Sequence, residues 1–284
     1  MNVRRADFAG SWYPGNRNDC LRAIEEFRRK SVPCPSSDRG PVGGIVPHAG
    51  WYYSGSIACN VIQCLQAGMS ADTVIIFGRH LPPGGDNFII REGMWATPLG
   101  ELEIDTELAD RLIDEFTFNV ESDARYEPDN TIELQLPFVK FFFPEVRILP
   151  VGVPPSKNSL RIGERVVEIA SALEKIIIVL GSTDLTHYGY NYGYSPKGTG
   201  QKAVEWVKNE NDKRIVELMV EMDAEGVIRE SARNLNACCS GAAATAMEAA
   251  RRLGAKKGHK LRYYTSYDVR PDDSFVGYVG IVFS

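Results

Sequence analysis

Histidine is scarce in this chain, with four copies in 284 residues, so a pattern among the four carries weight. Long apolar runs are missing too. The most apolar stretch, IIIVLG at 176–181, is far short of the roughly 20 residues that cross a bilayer, so no membrane partner is expected. The opening MNVRRADFAGSWYPG has none of the apolar core of a signal peptide, and no targeting segment is expected. Positive charge is outnumbered, 32 basic residues against 37 acidic ones for a net charge of −5. That argues against a nucleic-acid partner, because phosphate binding needs a concentrated positive field. The local basic clusters, Arg28–Lys30 and Lys256, Lys257 and Lys260, read as solvated helix ends. The six cysteines have neither metal-knuckle spacing nor the density of a secreted framework, so a reducing cytoplasm is the expected location. No repeat, low-complexity tract or long linker interrupts the chain, and VPCPSSDRGPVGG at 32–44 reads as a connecting loop.

What is present is ordinary globular composition, 44% hydrophobic and 24% charged, enough for a large core. Continuously apolar, β-branched runs predict buried strands at GIV before His48, at 73–78, 146–153 and 176–181, and near the end at 261–268 and 277–283. Between them, helical patterns run over Asp19–Arg29, Asp105–Glu115, Thr131–Phe142, Ser159–Leu173, Gln201–Met222 and Ser240–Leu253. This alternation predicts one α/β domain over residues 1–284, with a central, mostly parallel or mixed sheet flanked by helices.

Three of the four histidines fall just past predicted strands: His48 in GGIVPHAG, His80 in TVIIFGRH, and His187 in IIIVLGSTDLTHYG, which also carries Asp184. Ligands and catalytic groups of open α/β sheets gather at the carboxyl ends of the strands. Small neighbours (Gly50, Gly78, Gly189) permit the close backbone approach that a buried ion site needs. His259, in AKKGHK, reads as a solvated turn residue. Two imidazoles leave a metal short of donors. The third could be Asp184, giving a two-histidine, one-carboxylate iron site, or a thiolate from Cys238 or Cys239, which precede a small-residue helix. The structural alternative is that both cysteines are small buried hydrophobes.

These residues sit in segments similar to those of the Memo family, known in prokaryotes as AmmeMemoRadiSam system protein B. FAGSWYPG (8–15), PHAGWYYSG (47–55), WATPLGELEIDTELA (95–109), NTIELQLPF (130–138) and LGSTDLTHYG (180–189) resemble family segments in the family's order, across essentially the whole chain. The resemblance implies a fold like that of class III extradiol dioxygenases, non-haem iron enzymes that cleave catechol rings. It implies metal ligands at His48, His80 and a cysteine, Cys238 by gapless alignment or Cys239 with a one-residue slip. Asp184 and His187 become the acid/base pair. Three departures stand out. FGRHLPP is one residue shorter than the family's Gly-Pro-Asn/Ser-His, with Arg79 beside the histidine. Asn130 replaces a family histidine. Cys239 replaces a glycine. Arg79 is expected at the rim of the metal pocket, selecting an anionic ligand, or else facing outward onto a surface acid such as Asp86.

The expected function is a non-haem iron(II)-dependent oxidoreductase of dioxygenase type acting on a small aromatic or anionic substrate. The alternative is a non-catalytic metal-binding or adaptor protein handling iron, copper or zinc, with protein partners from an AmmeMemoRadiSam-type system.

Overall fold

The computed structural model describes residues 2–35, 40–68 and 70–284. Part of the loop expected at 32–44, residues 36–39, lies outside the described residues. Along the chain the strands are β1 (Val3–Arg4), β2 (Gly43–Val46), β3 (Thr73–Gly78), β4 (Phe88–Ile90), β5 (Met94–Thr97), β6 (Gly100–Glu103), β7 (Asn119–Glu121), β8 (Arg147–Gly152), β9 (Ile177–Ser182), β10 (His187–Tyr188), β11 (Gly258–Thr265) and β12 (Phe275–Phe283). The main sheet has the order β10-β12-β2-β9-β3-β8-β4-β7, with β11 also paired to β12. Its centre, β2-β9-β3-β8, is parallel, while β12 and β4 run antiparallel to their central neighbours. The mixed α/β class expected from the sequence is the one found. A small sheet, β1-β5-β6, packs separately.

Every residue of β2, β3 and β9 is buried, which explains their unbroken apolar character: helices cover both faces. One layer holds helices Lys157–Ala172 and Ser240–Arg252 against the sheet, the other Arg17–Arg29 and Trp51–Gly68. Asp105 caps the helix Thr106–Glu115 by accepting the Leu108 N–H.

Several elements depart from expectation. Trp51–Gly68 was not foreseen as a helix, because eleven of its residues are buried and its pattern shows no polar face. The helix expected over 131–142 breaks into Asn130–Glu133 and Leu136–Phe142, with Pro137 starting the second piece. The helix expected over 201–222 is interrupted by a π-helical turn, Val207–Asn211. His259 is not in a turn; it is half-buried on β11, 3.1 Å from Ser284 Oγ. Cys34 and Cys64 form a disulfide that ties the 31–35 segment to Trp51–Gly68, a pairing their thirty-residue separation does not announce. Among the described residues no helix is long and apolar enough to cross a membrane.

Candidate metal centre

The carboxyl ends of β2, β3 and β9 deliver His48, His80 and the Ser182–His187 segment to one place. Each is held by identifiable contacts. His48 follows β2, with its backbone N–H donating to Asp184 Oδ1 at 2.7 Å. Its carbonyl accepts from Asn130 Nδ2 at 3.1 Å. Helix Trp51–Gly68 then starts without a side-chain cap, and the orphan Trp51 N–H is satisfied by the Trp12 carbonyl at 2.9 Å. The FAGSWYPG segment carrying Trp12 is itself pinned by buried Glu133, which accepts from Asp7 N–H, Phe8 N–H and Tyr13 O–H. So the motifs at 8–15, 47–55 and 130–138 form one interlocked support.

His80 leaves β3 through Gly78 and Arg79. A Cβ on Gly78 would lie 2.3 Å from Thr131 Oγ1, so only glycine lets helix Asn130–Glu133 approach the strand end. Arg79 adopts φ 72°, and its N–H donates to Thr131 Oγ1. That turn sends the guanidinium away from the centre. It is buried, stacked 4.0 Å over Phe88, 2.6 Å from Glu121 and 3.2 Å from Glu127. Arg79 is therefore neither a pocket clamp nor a partner of Asp86; the left-handed backbone and two glutamates decide its direction. Arg79→Ala should lower stability by about 1–3 kcal/mol in urea unfolding, since Glu121 keeps Arg4 at 3.0 Å. Anion affinity should not change.

Cys238 and Cys239 precede helix Ser240–Arg252. The Cys238 N–H donates to the Asp184 carbonyl at 3.1 Å and the Cys239 N–H to Thr183 Oγ1 at 3.1 Å, zipping this loop to the one after β9. The result is a group of four donor atoms, from His48, His80, Cys238 and Cys239, all within 4.8 Å of one another. His48 Nε2 is 3.2 Å from Cys238 Sγ, Cys238 Sγ is 3.7 Å from Cys239 Sγ, and Cys239 Sγ is 3.4 Å from His80 Nδ1. Bonds of roughly 2.0–2.3 Å to a tetrahedral ion separate its donors by about 3.3–3.8 Å, so the 3.4 and 3.7 Å spacings fall inside that range and the 3.2 Å spacing just short of it.

The tautomer fits as well. Ser182 Oγ gives its one proton to the Thr131 carbonyl at 2.6 Å, so it accepts from His48 Nδ1–H at 2.9 Å. His48 then presents the lone pair of Nε2 to Cys238 Sγ, and a proton or a cation must lie between them. Ser182 and Thr131 escaped notice in the sequence, where only their places beside strand and motif mark them. Ser182→Ala should weaken metal binding about 10–100-fold without removing a donor, readable by competition with a chromophoric chelator.

Charge follows the same geometry. Burial opposes a thiolate at Cys238, but the Cys239 thiol and the facing imidazoles of His48 and His80 outweigh it and hold Cys238 well below the usual thiol range. Cys239 is held well above that range by burial and by the neighbouring sulfur. Desolvation opposes the charge on His80, yet Cys238, with Asp129 and Asp184 beyond it, pushes it up to about 9. His187 is likewise raised by Asp184 and Cys238 against its own burial.

Asp184 and His187 flank the donors without joining them. Asp184 Oδ2 lies 4.0 Å from His48 Nε2 and 3.9 Å from His187 Nε2. His187 is on the short strand β10 rather than in a free loop, and its ring packs against Tyr192 in a tilted arrangement, centroids 4.9 Å apart. A cavity of about 690 Å³ opens over His48, His80, Asp184 and His187, walled by Trp12, Tyr52, Tyr53 and Tyr192. Those aromatics were not singled out as site residues. A larger cavity, about 910 Å³, lies at the opposite end of the strands, where buried Asp105 is already paired with Lys175. Among the described residues it gathers no comparable donor set.

The segment between Asp184 and His187 is anchored from below. Buried Asp212 accepts the Thr186 N–H at 3.1 Å, the Thr186 hydroxyl and the Tyr263 O–H at 2.8 Å. Burial pushes its carboxyl up to about 6, against those donors. Folded Asp212 holds its proton more tightly than the unfolded chain, with an ordinary value of about 4. The stability this contributes is complete below about pH 4 and is lost as pH rises through about 6. Asp212→Asn should therefore flatten the fall in urea midpoint over that window.

Fold and site define a mixed α/β protein with a histidine–cysteine group able to hold a metal ion beneath a ligand-sized pocket. The profile of the Memo-like proteins matches residues 4–282. MEMO1 family proteins of Thermococcus onnurineus and Pyrococcus abyssi are 31% and 32% identical, each over 99% of both chains. One from Methanopyrus kandleri is 32% identical over 97% of this chain and 96% of its own. The chain belongs to the Memo-like family.

Proposed function

We propose that this protein is a metal-dependent oxidoreductase that holds one iron(II) ion on His48, His80 and Cys238 and acts on a small aromatic or anionic substrate. The observation that carries the reading is the pocket lined by His48 and His80, the two histidines of the donor group, together with Asp184 and His187. Iron(II), when bound, supplies one-electron chemistry and a Lewis acid. The protein's own part is positional. Tyr52, Tyr53, Trp12 and Tyr192 offer faces on which a planar ring stacks. Asp184 orients His187, whose imidazole takes or returns a proton at the substrate. Asn130, standing where the family pattern has histidine, supports the His48 carbonyl and cannot transfer a proton.

A second reading, metal handling without turnover, is favoured by one observation, the second thiol of Cys239 beside His80. Two thiolates suit copper(I) or zinc better than an oxygen-activating iron. In this reading an AmmeMemoRadiSam-type system supplies protein partners. The two separate by loading anaerobically purified protein with iron(II), copper(I) or zinc and following oxygen uptake with catechol and carboxylated catechol. Substrate-dependent uptake with iron alone supports the enzyme. Preferential copper or zinc retention with no uptake overturns it in favour of handling.

A further inference from the structure

Cys239 has no place in a three-donor centre, and it borders the core that the alanines after it help to build, yet its sulfur also faces the donor group. Its residue is buried, and its Sγ lies 3.4 Å from His80 Nδ1 and 3.7 Å from Cys238 Sγ, within the same donor group. The backbone fixes it there: φ −128° and ψ 53° at the N-cap of Ser240–Arg252, with its N–H held by Thr183 Oγ1. The two sulfurs are nevertheless unequal. Cys238 Sγ accepts the Asp184 N–H at 3.3 Å, a preorganised donor that stabilises a thiolate. No backbone N–H among the described residues is directed at Cys239 Sγ, so it is the poorer charged ligand.

Resting on the metal-centre reading above, we infer that Cys239 is a fourth, displaceable donor that closes the resting coordination sphere and yields its position to an incoming small anionic ligand. Closed, the centre is a two-histidine, two-cysteine set, which suits tetrahedral ions of zinc type. With Cys239 withdrawn, it keeps three protein donors and one free position, and both histidine donors line the pocket that Trp12, Tyr53 and Tyr192 wall. The exchange needs no redox step: the sulfur leaves the ion, takes up a proton from water, and the anion occupies the vacated position.

Cobalt(II) reports this directly, because thiolate-to-cobalt charge transfer scales with the number of bound sulfurs and the visible bands with geometry. The full-length protein loaded with cobalt(II) should show four-coordinate visible bands and a near-ultraviolet absorbance that drops about twofold in Cys239→Ala. Azide should bind at least about tenfold more tightly to that variant than to the wild type. Cys239→Ser, closer in volume, should show the same loss of charge transfer and guards against misfolding of the alanine variant. Unchanged charge transfer and equal azide affinity in both variants would leave Cys239 a buried packing residue and overturn the inference. That outcome differs from failure of the centre itself, in which wild type takes up no cobalt or Cys238→Ala matches wild type.

Discussion

Cys238→Ala is expected to lower metal affinity by at least about 100-fold, more than the 10–100-fold that removal of a group supporting a ligand costs. Three contacts set Cys238 apart. Its sulfur accepts the Asp184 N–H at 3.3 Å, lies beside the Cys239 thiol at 3.7 Å, and faces His48 Nε2 at 3.2 Å, with a proton or a cation between the two. Together they hold the thiolate, the metal-binding form, against the cost of burial. Losing it leaves Cys239, at whose sulfur no backbone N–H among the described residues is directed, to replace it. Equilibrium dialysis against a competing chelator, with unfolding curves to confirm the fold, reads the difference. If the alanine variant retains wild-type affinity, Cys238 is not a ligand and Asp184, 4.0 Å from His48 Nε2, is the next candidate for the third donor.

His187→Ala should separate affinity from reactivity. Its Nε2 is 3.9 Å from Asp184 Oδ2, its ring packs at a tilt against Tyr192, and it belongs to the pocket wall rather than to the donor group. Metal content should fall less than about threefold, the scale of a lost long-range interaction. Turnover of any substrate, or exchange of its protons, should fall about 10²–10⁴-fold, the usual contribution of a general acid or base. The variant is checked by metal analysis beside single-turnover kinetics. Complete metal loss would make His187 a ligand and reverse the division of roles.

The histidines could be read from the sequence because parallel strands end together. Val46, Gly78 and Ser182 close neighbouring strands, so residues just beyond them must meet. The cysteines were less legible, since 235–239 has no regular structure of its own: their place before a small-residue helix left Asp184 an equal alternative, and the family pattern favoured them before the loop was seen zipped to Thr183 and Asp184. Arg79 was misread because sequence adjacency to His80 says nothing of direction. A left-handed backbone at 79 and the acids Glu121 and Glu127, more than forty residues away, decide it. Ser182 and Thr131 were missed for a related reason: their role in fixing the His48 tautomer exists only once strand and helix are side by side. Trp51–Gly68 and the π-helical turn were hidden by burial and by an uninterrupted helical pattern.

The central claim is that His48, His80 and Cys238 hold one transition-metal ion under the pocket. Metal analysis of anaerobically purified full-length protein, reconstituted with iron(II) and freed of loosely bound ions, tests it most directly when set beside His48→Ala. The account predicts about one ion per chain in the wild type and less than about a tenth of that in the variant, by analogy with the loss of a principal ligand. Equal content in both, or none in the wild type with any of iron, zinc and copper, would contradict it.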